Sequence, residues 1–314
     1  MTYSSGGLIQ ASDYNNFNGG SGGGANISGQ LSSVFCIGYG NSGYGQTAVS
    51  NVTATSTVTA TQWTTLVNAV NTVRKHQSGG SFTNIGTYTA GTTINATNDV
   101  NGNLTTAFTN RLTYSAQGST GTGATQSPNW VLSNTTAAGL YSFTRTATFA
   151  NADAVRYFFN AGGQLNFVFG TPTNGDGTVR SSGIVNLINN FSSKKIGAQD
   201  AVAKTGSGNA TVVTDLTTNN GYFTYTTSNV TLSNIASSQT TYLGDNLKFY
   251  AKTSGTAGSN GDKGTVVSLS VDLYSGAQTG GFNDSINITA PHHLDVIYPE
   301  QTFLANTWGS VTVA

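Results

Sequence analysis

DAVRYFFNAGGQLNFVF, residues 153–169, carries a helix signal, a stop signal and a strand signal in direct succession. Asn151 precedes the helix as a cap, its side-chain oxygen positioned for a free backbone N–H of the first turn. Asp153 lies where the helix dipole favours a negative charge, three residues before Arg156, within reach for an ion pair. Val155, Phe158 and Phe159 share one helical face. Gly162 and Gly163 end the helix, because glycine adopts the left-handed conformation that closes a last turn. Leu165, Phe167 and Phe169 then alternate with other residues, as in a half-buried strand. The stretch reads as a packing unit, not a reaction centre.

The same logic applies to the rest of the carboxyl-terminal half. After Pro128 the segments NWVLS, LYSFTRTATF and QLNFVF are expected strands. GIVNLINNF is an expected helix with Ile184, Leu187, Ile188 and Phe191 on one face, Lys194 and Lys195 near its end and Gly197 as its stop. From residue 210, ATVVTDL, GYFTYTT, VTLSNI, NLKFYAKT, GTVVSLSVDLYS, SINITA and HLDVIY alternate between turns of Gly, Asn and Ser at the spacing of a β-sandwich. Lys248 to Asp272 reads as a long hairpin, and NTWGSVTVA supplies a last strand.

Toward the amino terminus, Ile9, Ala11, Tyr14 and Phe17 recur at the same spacing as Val58, Ala60, Trp63 and Leu66. In each copy an extended apolar residue precedes a hydroxyl residue, Ser12 or Thr61, expected to cap a helix. Residues 61 to about 77 form the expected second helix, with Arg74, Lys75 and His76 suiting its carboxyl end. Ile94, Ala96 and Thr97 before Val100 and Leu104 form a weaker third copy, followed by a helix with Leu104, Phe108 and Leu112 on one face. Residues 18–29 are a glycine-rich loop, and 116–127, AQGSTGTGATQS, has no apolar periodicity. The expected organisation is therefore an attachment domain of strand-to-helix repeats at 1–115, a linker at 116–127 and a mainly β, sandwich-like domain with two packed helices at 128–314. The fold class is α+β, mainly β.

Charge is the outlying property. Only 8% of the 314 residues are Asp, Glu, Lys or Arg, against roughly 25% in an average soluble domain, and the formal net charge is zero. Such a chain has no electrostatic footprint for phosphate backbones or anionic lipids, so nucleic-acid partners are not expected. It also has little self-repulsion, which suits a surface covered by neighbours. Fifteen Phe and 14 Tyr supply core material that a disordered tract lacks. Cys36, the single cysteine, permits no intrachain disulfide and is expected as a small buried residue. MTYSSGG has no basic region ahead of an apolar run and no stretch reaches bilayer length; neither a cleaved signal nor membrane insertion is expected.

No reaction centre stands out. GYGNSG, Gly38 to Gly43, has the glycine pattern of a dinucleotide-binding turn, but β-branched residues and turn formers follow where a helix must open, so it reads as a glycine-rich turn. His292, His293 and Asp295 form the densest group of metal-ligand types. In a strand the two histidines face opposite ways, leaving only His293 and Asp295 together, with His76 remote in sequence. Glu300 is the only glutamate, and Asp99, Asp153, Asp176, Asp200 and Asp215 lie singly in turns or caps, not as the pair a glycan-cleaving enzyme needs. No catalytic residue, cofactor or metal site is assigned. Tyr39 and Tyr44, and Tyr222, Phe223 and Tyr225, are aromatics that would serve sugars or a partner, or else core packing, with Phe223 expected inside.

RYFFNAGGQLNF resembles a segment of virion structural proteins of tailed bacteriophages: an arginine, an aromatic pair, asparagine, a glycine pair and then a strand. MTYSSGGLIQASDYNNF and TVTATQWTTLVNAVNTV are similar to amino-terminal regions of tail and appendage proteins of myoviruses, particularly those infecting cyanobacteria. The resemblance implies a non-enzymatic, repeated virion subunit, tail-associated (tail, baseplate, neck or fibre), assembled in the host cytoplasm as a homo-oligomer with other virion proteins. Arg156, Phe158, Phe159, Asn160, Gly162 and Gly163 would be its assembly or packing motif, and Ile9, Tyr14, Phe17, Val58, Trp63 and Leu66 its attachment motif. A host-receptor or glycan-binding adhesin at an appendage tip, and a capsid decoration protein, remain as alternatives.

Overall fold

The computed structural model describes residues 9–19, 27–94, 96–114, 116–133, 136–191, 193–198, 221–237, 240–242, 244–278 and 283–314. The opening MTYSSGG, most of the glycine loop, Asp200, Asp215 and the expected strand ATVVTDL lie outside them. The described chain holds five α-helices: α1 (Ala11–Asn18), α2 (Ala60–Ser78), α3 (Gly102–Thr109), α4 (Ala152–Asn160) and α5 (Val179–Phe191). Its twelve strands are β1 (Gln117–Thr122), β2 (Asn129–Leu132), β3 (Gly139–Thr148), β4 (Gln164–Phe169), β5 (Thr173–Asn174), β6 (Ser193–Ile196), β7 (Val230–Ala236), β8 (Asn246–Thr253), β9 (Val266–Ser275), β10 (Ile286–Thr289), β11 (His292–Pro299) and β12 (Thr312–Val313). They form three antiparallel sheets in the orders β1-β11-β4-β6, β2-β10-β5 and β12-β3-β9-β8-β7. The class is α+β, mainly β.

The helices start and stop where side chains satisfy their ends. Asn151 Oδ1 accepts from Ala154 N at 2.8 Å and opens α4. Gly162, at φ +103°, follows its end. The caps of the two amino-terminal copies differ from expectation by two residues. Thr59, not Thr61, caps α2, exchanging hydrogen bonds with Gln62, and Gln10, not Ser12, precedes α1. In both copies the cap immediately follows the apolar residue, Ile9 or Val58, so the repeat itself is kept. The copies also pack on one another. Gln10 bridges Thr57, and the Trp63 ring lies 6.4 Å from Tyr14 and 6.1 Å from Phe17. The third copy is a π-helical turn, Ala96–Asn101, leading into α3. Leu104 and Leu112 are buried there, while Phe108 is half-buried beneath the Arg111 guanidinium.

The hydrophobic residues form two cores. The smaller surrounds Trp63, and its buried members among the described residues all lie between Ala11 and Leu104. The larger is aromatic: Phe191 of α5 meets Phe167 and Phe169 of β4 and Phe249 of β8, joining helix and two sheets. It also takes in Val34, Tyr44, Val73, Ala107 and Leu112 from the amino-terminal part.

Four expectations are corrected. The stretch 116–127 is not a bare linker, because β1 lies there and pairs with β11. An edge strand needs only its backbone partners, so exposed Gly, Ser and Thr side chains leave no periodicity. Lys194 and Lys195 do not trail α5; they lie in β6, opposite Phe167 and Asn166 of β4. GYFTYTT is not a strand but carries a 3₁₀ turn, Tyr222–Thr224, which buries Tyr222 and Tyr225 and leaves Phe223 half-buried. Finally, β4 is covered on both faces: Leu165, Phe167 and Phe169 enter the larger core, and Gln164 and Asn166 on the other face are buried as well.

Candidate functional site

The segment RYFFN is built into a joint. Arg156 is fully buried and its fork donates to two carbonyls of the glycine turn, from Nη2 to Ile37 O at 2.6 Å and from Nη1 to Ser42 O at 2.8 Å. One turn along α4, Asn160 Nδ2 lies 3.1 Å from Gly40 O and 3.0 Å from both Ser42 O and Gly43 O. Asp153 Oδ1 accepts from Arg156 at 3.2 Å, and its Oδ2 from Asn260 Nδ2 at 3.3 Å. Asn260 sits in the β8–β9 hairpin loop, whose carbonyl accepts from Gly40 N at 2.9 Å. Three segments remote in sequence therefore meet around the Asp153–Arg156 ion pair.

Spacing explains why these residue types are needed. Positions 153, 156 and 160 lie on one helical face, and only arginine presents parallel donors to two carbonyls at once. The turn needs glycine because a Cβ at Gly38 would lie 2.4 Å from Ser42 O, and one at Gly43 2.4 Å from Ile37 O. Those are the carbonyls that Arg156 reads. Phe158 and Phe159 point the other way, into the larger core, where Phe159 stacks on Tyr222 at 4.6 Å. Gly162 and Gly163 pass so close to the Tyr114 and Phe158 rings that a Cβ would lie 2.7 Å and 2.6 Å from them.

The attachment motif is likewise internal at its centre. Tyr14, Phe17, Trp63 and Leu66 are buried together in the smaller core, with Ile9 and Val58 half-buried against it. His292 and His293 do face opposite ways. His292 is buried, parallel to Phe167 at 5.6 Å, with Nδ1 3.0 Å from Ala290 O, whereas His293 Nε2 lies 3.4 Å from Asp295 Oδ1 on the outer face. His76 is buried elsewhere, edge-on to Tyr44. Among the described residues no group of three His, Cys, Asp or Glu could hold a metal ion. GYGNSG is followed by irregular chain from 44 to 53, not by a helix. Cys36 is buried, which pushes its thiol up to about 11. Asp176 is held below the usual carboxylate range by hydrogen bonds from Ser285, Ser181 and Thr178, which outweigh its burial. Of the aromatics singled out for binding, Tyr39 is exposed and Phe223 half-buried, while Tyr44, Tyr222 and Tyr225 are interior.

Nothing in the sequence reveals how the few charges are spent. Among the described residues Arg145, Arg156, Arg180 and Lys194 are buried, out of twelve Lys and Arg in the chain. Arg180 donates to Ser275 Oγ at 2.9 Å and to the carbonyls of Ala137, Asp284 and Gly276 at 3.0 to 3.2 Å. Arg145 donates to Ala124 O. Asp245 is buried beside this network, and its carboxyl is pushed up by burial, partly offset by Ser275, Gly276 N–H and Arg180. Arg145 and Arg180 tie loops to β3 and α5, and the burial of the four cations leaves the exterior poorer in charge than the composition implies. No helix among the described residues is long and apolar enough to cross a membrane. No protein-family model, characterised protein or solved structure matches the chain.

Proposed function

We propose that this chain is a non-enzymatic structural subunit of a tailed-phage particle, associated with the tail and acting through multimeric assembly with itself and with other virion proteins. The observation that carries the reading is the exterior. A protein with 24 formally charged side chains that, among the described residues, buries four of its cations presents a surface of Ser, Thr, Asn and Gly with little mutual repulsion. Apolar side chains stand on that surface at Val131, 61% exposed, and Leu140, 59% exposed. The clamp at Arg156 and Asn160 suits the same reading, since it ties the amino-terminal turn to the β-rich part as one body.

Sedimentation velocity of the purified chain over a concentration series tests this, at about 0.05 M and about 1 M salt, where screening lengths differ several-fold. Assembly that rises with concentration and persists in high salt is expected, because few charges contribute. A monomer at every concentration, or an oligomer that salt dissolves, would overturn the reading.

A further inference from the structure

The outer face of the five-stranded sheet holds a cleft of about 190 Å³ lined by Leu140, Asn246, Lys248, Tyr250, Asp272 and Tyr274. The register places these in rows. Leu140, Tyr274 and Asn246 lie abreast on β3, β9 and β8, as do Ser142, Asp272 and Lys248, and Tyr250 lies opposite Ser270 in the next row. The two tyrosines thus stand at opposite ends of the cleft with a carboxylate and an ammonium between them. Along β8, Asn246 to Tyr250 spans four residues, roughly 13 Å.

The polar groups here are only partly used. Asp272 Oδ1 accepts from Ser142 Oγ at 2.6 Å and the carboxylate also takes the Tyr250 hydroxyl, so a ligand hydroxyl would add a further donor to oxygens that accept more than one. The Lys248 ammonium has no hydrogen bond or ion pair among the described residues, its backbone alone being paired in the sheet. Asn246 Nδ2 donates to Gly244 O at 3.3 Å, while its Oδ1 is covered and has no partner. A covered acceptor without a donor is costly, and a ligand hydroxyl meeting a slightly rotated amide would supply that donor. The Tyr250 phenol is pushed up by burial and by the Asp272 carboxylate, to which it is hydrogen-bonded, so it stays protonated and its ring is held beside the polar centre.

We propose that this face binds a short neutral oligosaccharide, with Tyr274 and Tyr250 offering ring faces to the sugar C–H surfaces and Asp272, Lys248 and Asn246 bonding its hydroxyls. One face of a pyranose is apolar and its rim is polar, which matches tyrosines flanking a polar centre. Lys248 and Asp272 cancel, so the cleft carries no net charge to attract an acidic polymer. Leu140 alone is too small an apolar patch for a membrane. The inference stands apart from the assembly reading, since a virion subunit need not bind sugar.

Ligand-observed NMR and calorimetry on the full chain with maltotriose, cellotriose, mannotriose, triacetylchitotriose and trigalacturonic acid test it. Saturable binding of at least one neutral trimer is expected, with Kd in the range of about 0.1–1 mM for so open a site. Tyr274→Ala and Asp272→Ala should each weaken it at least tenfold with thermal stability unchanged, and Tyr39→Ala, on another exposed tyrosine, should leave it intact. Binding of none of the sugars, or of the acidic one alone, overturns the proposal. So does neutral-sugar binding that Tyr274→Ala leaves intact. Loss of self-association in Tyr274→Ala without any sugar binding also overturns it, and assigns the face to a subunit contact.

Discussion

Arg156 and Asn160 share one acceptor, the Ser42 carbonyl, and this makes their energetics non-additive in a measurable way. Arg156→Met keeps the aliphatic stem but cannot donate. It takes from Ile37 O a 2.6 Å charge-assisted bond and removes one of the two donors on Ser42 O. Hydrogen bonds to charged groups contribute about 1.5–3 kcal/mol each, so the loss should be about 3–5 kcal/mol. Asn160→Ala removes the amide that bridges three carbonyls and should cost about 1–3 kcal/mol. Once either residue is gone the turn 37–43 is partly released, and the second change finds less to break. The double mutant should therefore fall short of the sum by about 1–2 kcal/mol.

Urea unfolding of the four proteins gives the cycle. Amide exchange at Tyr44 and Gly45, which donate to Val34 O and Cys36 O beside the turn, reports the local release. Faster exchange there should accompany the global loss. Additivity within about 0.5 kcal/mol, or a cost below about 1 kcal/mol for Arg156→Met, would refute the idea that one clamp holds the turn.

Three further outcomes follow from the same geometry. Gly162→Ala adds a Cβ 2.7 Å from the Tyr114 ring at φ +103°, whereas Gly177→Ala, at φ +70°, meets nothing within 4 Å. Thermal denaturation should show about 1 kcal/mol lost for Gly177→Ala and at least about 2 kcal/mol for Gly162→Ala; equal losses would deny the ring contact any weight. Trp63→Ala, at the centre of the smaller core, should cost about 3–5 kcal/mol and increase exchange in α1 before the β-rich part responds. His292 has its pKa lowered by burial, a shift that the Ala290 carbonyl opposes and that charge from Arg145 and His293 reinforces. Its contribution is fully present above the unfolded value near 6.5 and is lost as pH falls from there toward the folded value, by about 1.4 kcal/mol per pH unit. The slope should be absent from His292→Phe, which a stability series from pH 7 downward checks.

Where local rules decide structure, the sequence was legible. Asn151, the apolar face of α4, and the alternation in β3, β8 and β9 each depend on neighbours within a few residues, and they stand as read. Long-range partners decided the exceptions. Tyr222 and Tyr225 are interior because the Lys263 ammonium donates to Phe223 O and Tyr225 O and shapes a 3₁₀ turn there, and nothing within GYFTYTT announces that. β1 exists because β11 offers it an edge. The motif RYFFN was recognisable, but its target was not, because Ile37 and Ser42 lie more than a hundred residues away. The cleft over Asp272 was equally hidden. Its side chains come from three strands, and only the registers β3–β9 and β8–β9 bring them abreast.

The central claim is that the chain is a component of a particle, and labelling that particle tests it most directly. Gold-conjugated antibody to this chain should decorate the tails of purified phage particles at a regular multiple per particle in electron micrographs. Label over the head would contradict the tail assignment, and particles left bare by an antibody shown to bind the folded protein would contradict the structural role altogether.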